Sequence, residues 1–141
     1  MTSKFTSLVT IFFYFSPFKQ QYLTIFMSLD QLLKLTEHSP ELITFDLVMN
    51  TIDKYYIVRD VAFSCGEQHN LAGENKGSCK IFSFALLHKL SKQQTLNLFA
   101  EYYRDDVLKK PDGNDHQNIR QFMLHGFSGL LIKGNALSRK Q

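Results

Sequence analysis

The chain has 141 residues, of which 44% are hydrophobic and 21% are charged, and its net charge is +3. This length allows one domain, and this composition is too apolar for an intrinsically disordered chain. Acidic residues interrupt the basic ones throughout, so the dense basic face that is typical of nucleic-acid-binding proteins is not predicted.

The two cysteines, Cys65 and Cys79, indicate no disulfide scaffold and no zinc site. Two cysteines are too few for a disulfide-rich domain, and they lack the paired spacing of zinc ligands. Reduced thiols are therefore expected, and a single disulfide that closes one loop is the alternative.

Residues 1–26 differ in composition from the rest, since they hold six of the thirteen phenylalanines and no acidic residue. Their apolar run ends at Ser16-Pro17 and is shorter than the roughly 20 residues that a transmembrane helix needs. We interpret 1–26 as a non-native or disordered N-terminal extension, translated from upstream non-coding DNA. The alternatives are an export signal and an interaction segment. The predicted domain comprises residues 27–141.

Two helices are predicted at the start of this domain. Ser28 and Gln31 have the capping-box spacing and open a helix that runs to about His38. Ser39-Pro40-Glu41 starts the second helix with a cap, a proline at the first position and an early acid. The apolar residues of this helix recur at three- and four-residue steps and define one face: Leu42, Phe45, Val48, Met49, Ile52 and Tyr56.

The helical periodicity is lost after Ile57, and a short strand is predicted to end at Gly66. Residues 67–77 are rich in Asn, Gly and Glu, which predicts an ordered loop. Ser78 is the predicted cap of a third helix over residues 79–90, which is apolar nearly all round and is therefore expected to be central. The apolar residues of the candidate strand are Val58, Val61 and Phe63.

The C-terminal third is predicted to contain two helices and a strand. Ser91 and Gln94 form a second capping box, which opens a fourth helix to about Leu108. After the turn at 111–113, Asn114 or Asp115 caps a fifth helix, closed near residue 126 by a glycine. Residues 127–133 are a second candidate strand, and the tail 135–141 is polar enough to fray. The predicted fold is α+β and predominantly α-helical, with about five helices around one core and a minor two-stranded β element.

The first candidate site is the segment NLAGENKGSCK, residues 70–80. Two glycines next to a helix start leave backbone N–H groups exposed, and this geometry attracts anions. A Walker loop is excluded because its spacing and its terminal Lys-Ser/Thr pair are missing. The alternative is a glycine-rich turn that leads into a capped helix. The candidate ligand-binding residues are Asn70, Gly73, Asn75, Gly77 and Ser78.

A second candidate site pairs Cys79 with His116. Cys79 would begin the helix capped by Ser78, where the helix dipole stabilises a thiolate. The order Cys, His, then Asn or Asp is that of papain-like enzymes. Cys79 as nucleophile and His116 as base are therefore the candidate catalytic residues, and a buried structural Cys79 is the alternative. No metal site is predicted from His69, Cys79 and His116, since no two of them show ligand spacing on one helix, and no cofactor is expected.

The polar residues between 101 and 120 form a third candidate site. Arg104 could hold Asp112 or Asp115, and Arg120 could reach back to a carboxylate. We favour a polar network that locks the loop to the helices. The functional alternative is a pocket with Tyr103 as its floor and charged residues at its rim. The candidate ligand-binding residues here are Tyr103, Arg104, Asp115, Asn118 and Arg120.

Three segments resemble, in order and spacing, the HopJ family of type III effector proteins. They are NLAGENKGSCKIFSFALLHKLS, FAEYYRDDVL and PDGNDHQNIRQFMLHGFSG, and the resemblance spans about Met27 to Leu137. It implies a bacterial HopJ-like domain from a family named for members that plant pathogens deliver into host cells, and it implies no established reaction and no catalytic residue. The sequence has Phe127 where the family usually has Trp and Ala100 where it usually has Gly. We interpret both as packing changes.

The leading hypothesis is a ligand- or protein-binding module whose partner is an unknown protein or a small anionic ligand. Nucleic acid is not an expected partner, nor is a membrane for residues 27–141. The alternative is a Cys-dependent hydrolase or transferase that uses Cys79 and His116. The N-terminus is apolar, whereas a secreted effector needs a flexible and polar one, so a cytoplasmic protein is predicted. Type III secretion is the alternative that the family resemblance implies. We expect the 70–80 loop, Tyr103–Arg104 and residues 112–120 to lie around one cavity.

Overall fold

The structure, a computed structural model, describes residues 27–141, so the interpretation of residues 1–26 lies outside the described part. It confirms a helix-rich α+β fold. The α-helices are α1 (Leu29–His38), α2 (Phe45–Tyr55), α3 (Lys76–Leu87), α4 (Lys92–Asn97) and α5 (Gln117–His125). A π-helical segment covers Tyr102–Val107, and 3-10 turns cover Pro40–Leu42 and Gly126–Gly129. The strands are β1 (Tyr56–Val58), β2 (Phe63–Cys65), β3 (Gln68–Asn70), β4 (Leu130–Ile132) and β5 (Leu137–Arg139).

The strands form two small antiparallel sheets. In the three-stranded sheet β2 lies between β3 and β4, with Phe63 opposite both Asn70 and Ile132. The part of the first candidate strand that forms β2 pairs with the second candidate strand, β4, whereas Val58 belongs to β1 in the other sheet. The predicted two-stranded element is therefore wrong in its strand number, because β3 adds a third strand to β2. The second sheet joins β1 to β5, so the predicted fraying of the C-terminal tail is wrong at residues 137–139. The physical reason is that Leu137, 3% exposed, anchors this segment in the core.

The core is built around α3, as its apolar composition predicts. The ring of Phe82 lies 6.2 Å from Phe63 of β2, 5.4 Å from Phe99 and 5.1 Å from Phe122 of α5, measured between ring centroids. Aromatic pairs at such separations contribute packing energy beyond the area they bury. Phe82 thus connects α3, the larger sheet and α5. Within residues 27–141 no helix is long and apolar enough to span a membrane.

The helix starts follow the sequence prediction in two cases and depart from it in three. Complete capping boxes at Ser28 and Ser91 open α1 and α4. The second helix begins at Phe45 with Thr44 as its cap, five residues later than the start predicted with Ser39 as the cap. The reason is that Ile43 is fully buried in an extended conformation, which separates the 3-10 turn from α2.

The starts of α3 and α5 are the other two corrections. α3 begins at Lys76 with Asn75 as its N-cap, not with Ser78, and α5 follows His116, not Asn114 or Asp115. Asn75 and His116 both adopt the left-handed conformation, with φ of 48° and 51°. This conformation is uncommon for residues other than glycine, and local capping rules do not predict it.

Ala100 interrupts the predicted fourth helix. α4 ends at Asn97, Ala100 has φ of 54°, and the chain then enters the π-helical segment. L-residues with a side chain pay roughly 1–2 kcal/mol in the left-handed conformation, whereas glycine does not. The backbone therefore explains why glycine suits this position, and our interpretation of Ala100 as a packing change was incomplete. Phe127 does pack edge-on against Phe122, with their ring centroids 5.1 Å apart.

The small β1–β5 sheet meets the end of α3 at a titratable contact. The Tyr56 hydroxyl and His88 Nε2 are 2.7 Å apart and share a hydrogen bond. The guanidinium of Arg139 in β5 lies 5.5 Å from the centroid of the Tyr56 ring. Burial, and next the charge of Arg139, lowers the pKa of His88 below its usual 6.5, while the charge of Asp30 acts in the opposite direction. The folded protein therefore favours neutral His88.

We expect the folding stability to decrease as the pH falls below about 6.5, because the unfolded chain then binds this proton more readily than the folded one. The contribution of neutral His88 to the free energy of unfolding is thus present above that pH and is lost as the pH falls below it. The variant His88→Gln keeps a side chain that can bond to Tyr56 but does not titrate. Circular dichroism melts at about pH 7.5 and about pH 5.5 should show a smaller loss in Tm for the variant. Equal losses would contradict the assignment to His88.

Candidate functional site

The side chain of Asn70, at the end of β3, is the centre of a buried amide network. Its Nδ2 donates to the Phe63 carbonyl at 3.2 Å and to Asn118 Oδ1 at 3.0 Å. Its Oδ1 accepts from Asn118 Nδ2 at 3.0 Å and from Asn75 Nδ2 at 2.7 Å. An Asn carboxamide offers two donor hydrogens and one acceptor oxygen with two lone pairs, so the group is fully used. Asn70 thereby joins β2 to the beginnings of α3 and α5.

The starts of α3 and α5 lack the side-chain caps that the other α-helices have. Ser28, Thr44 and Ser91 each accept a hydrogen bond from an amide in the first turn of α1, α2 and α4. Asn75 and His116 make no such bond. Their side chains are directed elsewhere, Asn75 to Asn70 and His116 to Asp106. Two helix N-termini are consequently left without a side-chain acceptor.

Both uncapped helix starts line the same cavity, which has a volume of about 380 Å³. Its polar lining comes from the first turns of α3 and α5 and from β3, and its apolar lining comes mainly from aromatic rings. A Cβ atom at Gly77 would lie 2.6 Å from Cζ of Phe45, so the absence of a side chain at Gly77 lets the Phe45 ring approach α3. The lining residues are Phe45, Gln68, Asn75, Gly77, Ser78, Phe99, Tyr102, His116, Gln117, Asn118 and Ile119.

A third helix start at this corner is already occupied by a carboxylate. The Phe45 amide, in the first turn of α2, donates to Glu101 Oε2 at 2.9 Å. The neighbouring Tyr102 ring packs against Phe45 with a centroid separation of 4.6 Å. The protein itself therefore uses an anion to satisfy one of the three helix N-termini that meet here.

His116 is held by two carboxylates and a tyrosine ring. Its Nε2 lies 2.9 Å from Asp106 Oδ2 and 3.9 Å from Asp115 Oδ2. Its ring stacks on Tyr102, with centroids 5.0 Å apart and planes inclined by 26°. Arg120 Nη2 donates to Asp115 Oδ1 at 2.7 Å, and this hydrogen bond is the main reason why the pKa of Asp115 lies below its usual value. Contacts with Asp106, Asp115 and Tyr102 therefore fix the orientation of the His116 ring.

Comparison with known proteins assigns this chain to a family. The HopJ type III effector protein family matches residues 29–137. The chain belongs to the HopJ family. A crystal structure of a protein of unknown function, VPA0580, is 46% identical, with a TM-score of 0.79 over 81% of this chain and 95% of that one. No curated protein matches this HopJ chain.

Five of the predicted ligand-binding residues meet at the cavity of this HopJ protein. Four of them line it, and the fifth, Asn70, is hydrogen-bonded to two of those four, Asn75 and Asn118. Parts of the 70–80 and 112–120 segments line one cavity, whereas Tyr103 and Arg104 of the third predicted segment do not. The four lining residues are Asn75, Gly77, Ser78 and Asn118.

The other predicted residues lie outside the lining of this cavity. Tyr103 is 8% exposed and belongs to the core, and Arg104 donates to the Pro40 carbonyl at 2.9 Å, not to Asp112 or Asp115. Gly73 lines a separate, much smaller depression. Asp115 and Arg120 contact each other next to His116 and do not line the cavity. Arg120 also donates to the Lys110 carbonyl at 2.9 Å. Arg120 thus locks the loop to α5, as the favoured network predicted.

Sequence reasoning missed the aromatic side of the cavity. Tyr102, not Tyr103, faces it, because the turn at Ala100 and the π-helical segment change which side of the chain is buried. Phe45 was assigned to a core face, and its helical periodicity gave no sign of a cavity. The remaining missed lining residues are Gln68, Phe99, Gln117 and Ile119.

The contacts of Cys79 do not support its role as a nucleophile. Cys79 is the fourth residue of α3, not the first, and its N–H already donates to the Asn75 carbonyl. Its side chain contacts the Val61 carbonyl at 4.0 Å, and burial raises the pKa of the thiol. It lines the small depression with Gly73, whereas His116 lines the large cavity. Within residues 27–141 no cluster of three or more His, Cys, Asp or Glu residues could hold a metal ion.

Replacement of Asn70 by alanine tests the amide network. Asn70→Ala removes the side-chain hydrogen bonds of Asn70 to the buried Asn118 amide and to the Phe63 carbonyl. We expect a loss of about 2–3 kcal/mol in the free energy of unfolding, measured by urea denaturation. The exposed Asn114→Ala is the matched control and should change stability little. Similar losses in the two variants would refute a central role for Asn70.

Alkylation tests the state of Cys79. Burial and a raised pKa predict that iodoacetamide at neutral pH modifies Cys79 more slowly in the folded protein than in urea. Mass spectrometry of the Cys79 peptide after timed quenching measures both rates, and the Cys65 peptide is an internal reference. Faster modification in the folded state would favour the hypothesis of a catalytic thiol.

Proposed function

We propose that this HopJ protein binds a small organic anion in the cavity between the starts of α3 and α5. The observation that carries the proposal is that the two α-helices without side-chain caps both begin in the wall of this cavity. The other three α-helices of residues 27–141 have caps.

The amides of residues 76–78 and 117–119 are the first amides of α3 and α5, and no N-cap side chain accepts from them. The first amides of an α-helix have no partner within the helix, and the helix dipole adds a partial positive charge there. Backbone N–H groups in this arrangement bind carboxylate and phosphate oxygens. With two helix starts in one wall, an anion gains from both dipoles and also provides the missing hydrogen-bond acceptors.

The apolar part of the lining supports an organic ligand over an inorganic ion. Phe45, Phe99, Tyr102 and Ile119 contribute to the walls, and a bare phosphate would leave these surfaces in contact with water. A volume of about 380 Å³ lies within the range of roughly 300–1,000 Å³ that is typical of small-molecule sites. The ligand class is therefore a carboxylate or phosphate group attached to an apolar or aromatic body.

Ser78→Glu tests this proposal without removing a structural contact. Ser78 is the third residue of α3, a position where glutamate stabilises a helix, and its carboxylate would occupy the cavity. We expect benzoate and phenyl phosphate to shift the amide resonances of Gly77 and Gln117 in the unmodified protein. Ser78→Glu should abolish these shifts and retain the Tm.

Two controls separate the site from general charge effects. Benzamide has the shape of benzoate but no charge, and it should bind much more weakly. Gln93→Glu adds the same charge to the first turn of α4, outside the cavity, and should retain benzoate binding. Equal binding by Ser78→Glu and the unmodified protein would refute the proposal.

The family match supports a second proposal, on localisation. The family is described as one of type III effector proteins, and we propose that this chain is a substrate of type III secretion and not a permanent cytoplasmic resident. A reporter fusion of the full-length chain in a bacterium with such a system tests this. Signal in the recipient cell that disappears in a secretion-deficient mutant is the expected result, and its absence would contradict the proposal.

A further inference from the structure

The lining of the cavity contains one histidine, His116. Tyr102 and His116 are the titratable side chains of the lining, and an unperturbed histidine titrates near physiological pH whereas tyrosine does not. His116 is therefore the lining residue whose side-chain type could couple the charge of the cavity wall to a proton.

The groups around His116 favour and oppose its protonation at the same time. Asp106 and Asp115, at 2.9 and 3.9 Å, favour the charged ring, and so does the stacked face of Tyr102. Arg120 opposes it, since its guanidinium already neutralises Asp115. The positive end of the α5 dipole opposes it as well, because His116 is the N-cap of that helix. A new negative charge in the cavity would add to the favourable side.

The hydrogen-bonding state of the ring identifies the nitrogen that takes up the proton. A carboxylate can only accept, so a neutral His116 donates from Nε2 to Asp106 and has its lone pair on Nδ1. Protonation then occurs at Nδ1 and makes both nitrogens donors. The left-handed backbone of His116, φ 51°, is a conformation that costs energy and often accompanies functional side chains.

We propose that the cavity binds its anion together with a proton, which His116 takes up from solvent at Nδ1. This inference rests on the proposed function and adds a regulatory property, since the affinity then increases as the pH decreases. Reciprocity of linkage requires that the bound anion raise the proton affinity of His116 by the same factor as protonation raises the affinity for the anion.

Isothermal titration with benzoate, which stays ionised over this range, tests the coupling. The full-length protein is titrated at about pH 6, 7 and 8 in two zwitterionic buffers with different ionisation enthalpies. We expect an affinity that rises as the pH falls, by at most about tenfold per pH unit, and an uptake of a fraction of one proton. The His116→Gln variant should bind benzoate with an affinity independent of pH. His69→Gln, an exposed histidine outside the cavity, is the matched control and should retain the pH dependence.

A proton NMR titration of the His116 ring gives a second readout that needs no variant. Its titration midpoint should move to higher pH when benzoate is present. Benzoate binding with equal affinity at about pH 6 and about pH 8 would overturn the coupling and leave the anion site standing. No binding at any pH would overturn the proposed function together with this inference. A pH dependence that persists in His116→Gln would assign the proton to another group and overturn the role of His116.

Discussion

The arrangement of the cavity depends on the saturated hydrogen bonding of one buried carboxamide. Asn70, 3% exposed, bonds at once to the strand carbonyl of Phe63, to Asn75 and to Asn118. An unsatisfied buried polar group costs free energy, so these partners stabilise one mutual orientation. Since Asn75 and Asn118 belong to the beginnings of α3 and α5, the same interaction holds two helix N-termini next to each other.

The α-helices of residues 27–141 in this HopJ protein begin in two different ways. α1, α2 and α4 carry local caps, and Glu101 adds a carboxylate to α2. At α3 and α5 the cap side chains bond to other parts of the molecule and have left-handed backbones. A proper cap typically contributes about 1 kcal/mol, so these two starts forgo stability. Positions that break a local rule are often functional or strained, and here both border one cavity.

The contacts at this corner do not support a thiol enzyme. His116 is oriented by Asp106 and stacked on Tyr102. Burial raises the pKa of the Cys79 thiol, which disfavours the thiolate that a nucleophilic cysteine needs. VPA0580, 46% identical to this chain, is itself a protein of unknown function. The proposal of an anion site consequently rests on the geometry and the electrostatics of this cavity.

The sequence by itself determined the α+β class, the two capping boxes, the central α3 and the two polar segments that border the cavity, because these follow from local spacing and apolar periodicity. Only the tertiary structure decided that Asn75 and His116 begin their helices, since their left-handed conformations are supported by contacts with Asn70 and Asp106. It also decided that β5 pairs with β1, an interaction between segments about 80 residues apart. The tertiary structure also decided that Tyr102 lines the cavity and that Tyr103 is in the core, after the left-handed residue Ala100. Local propensity has no information on partners that are distant in sequence, and such partners determine which helix starts remain open.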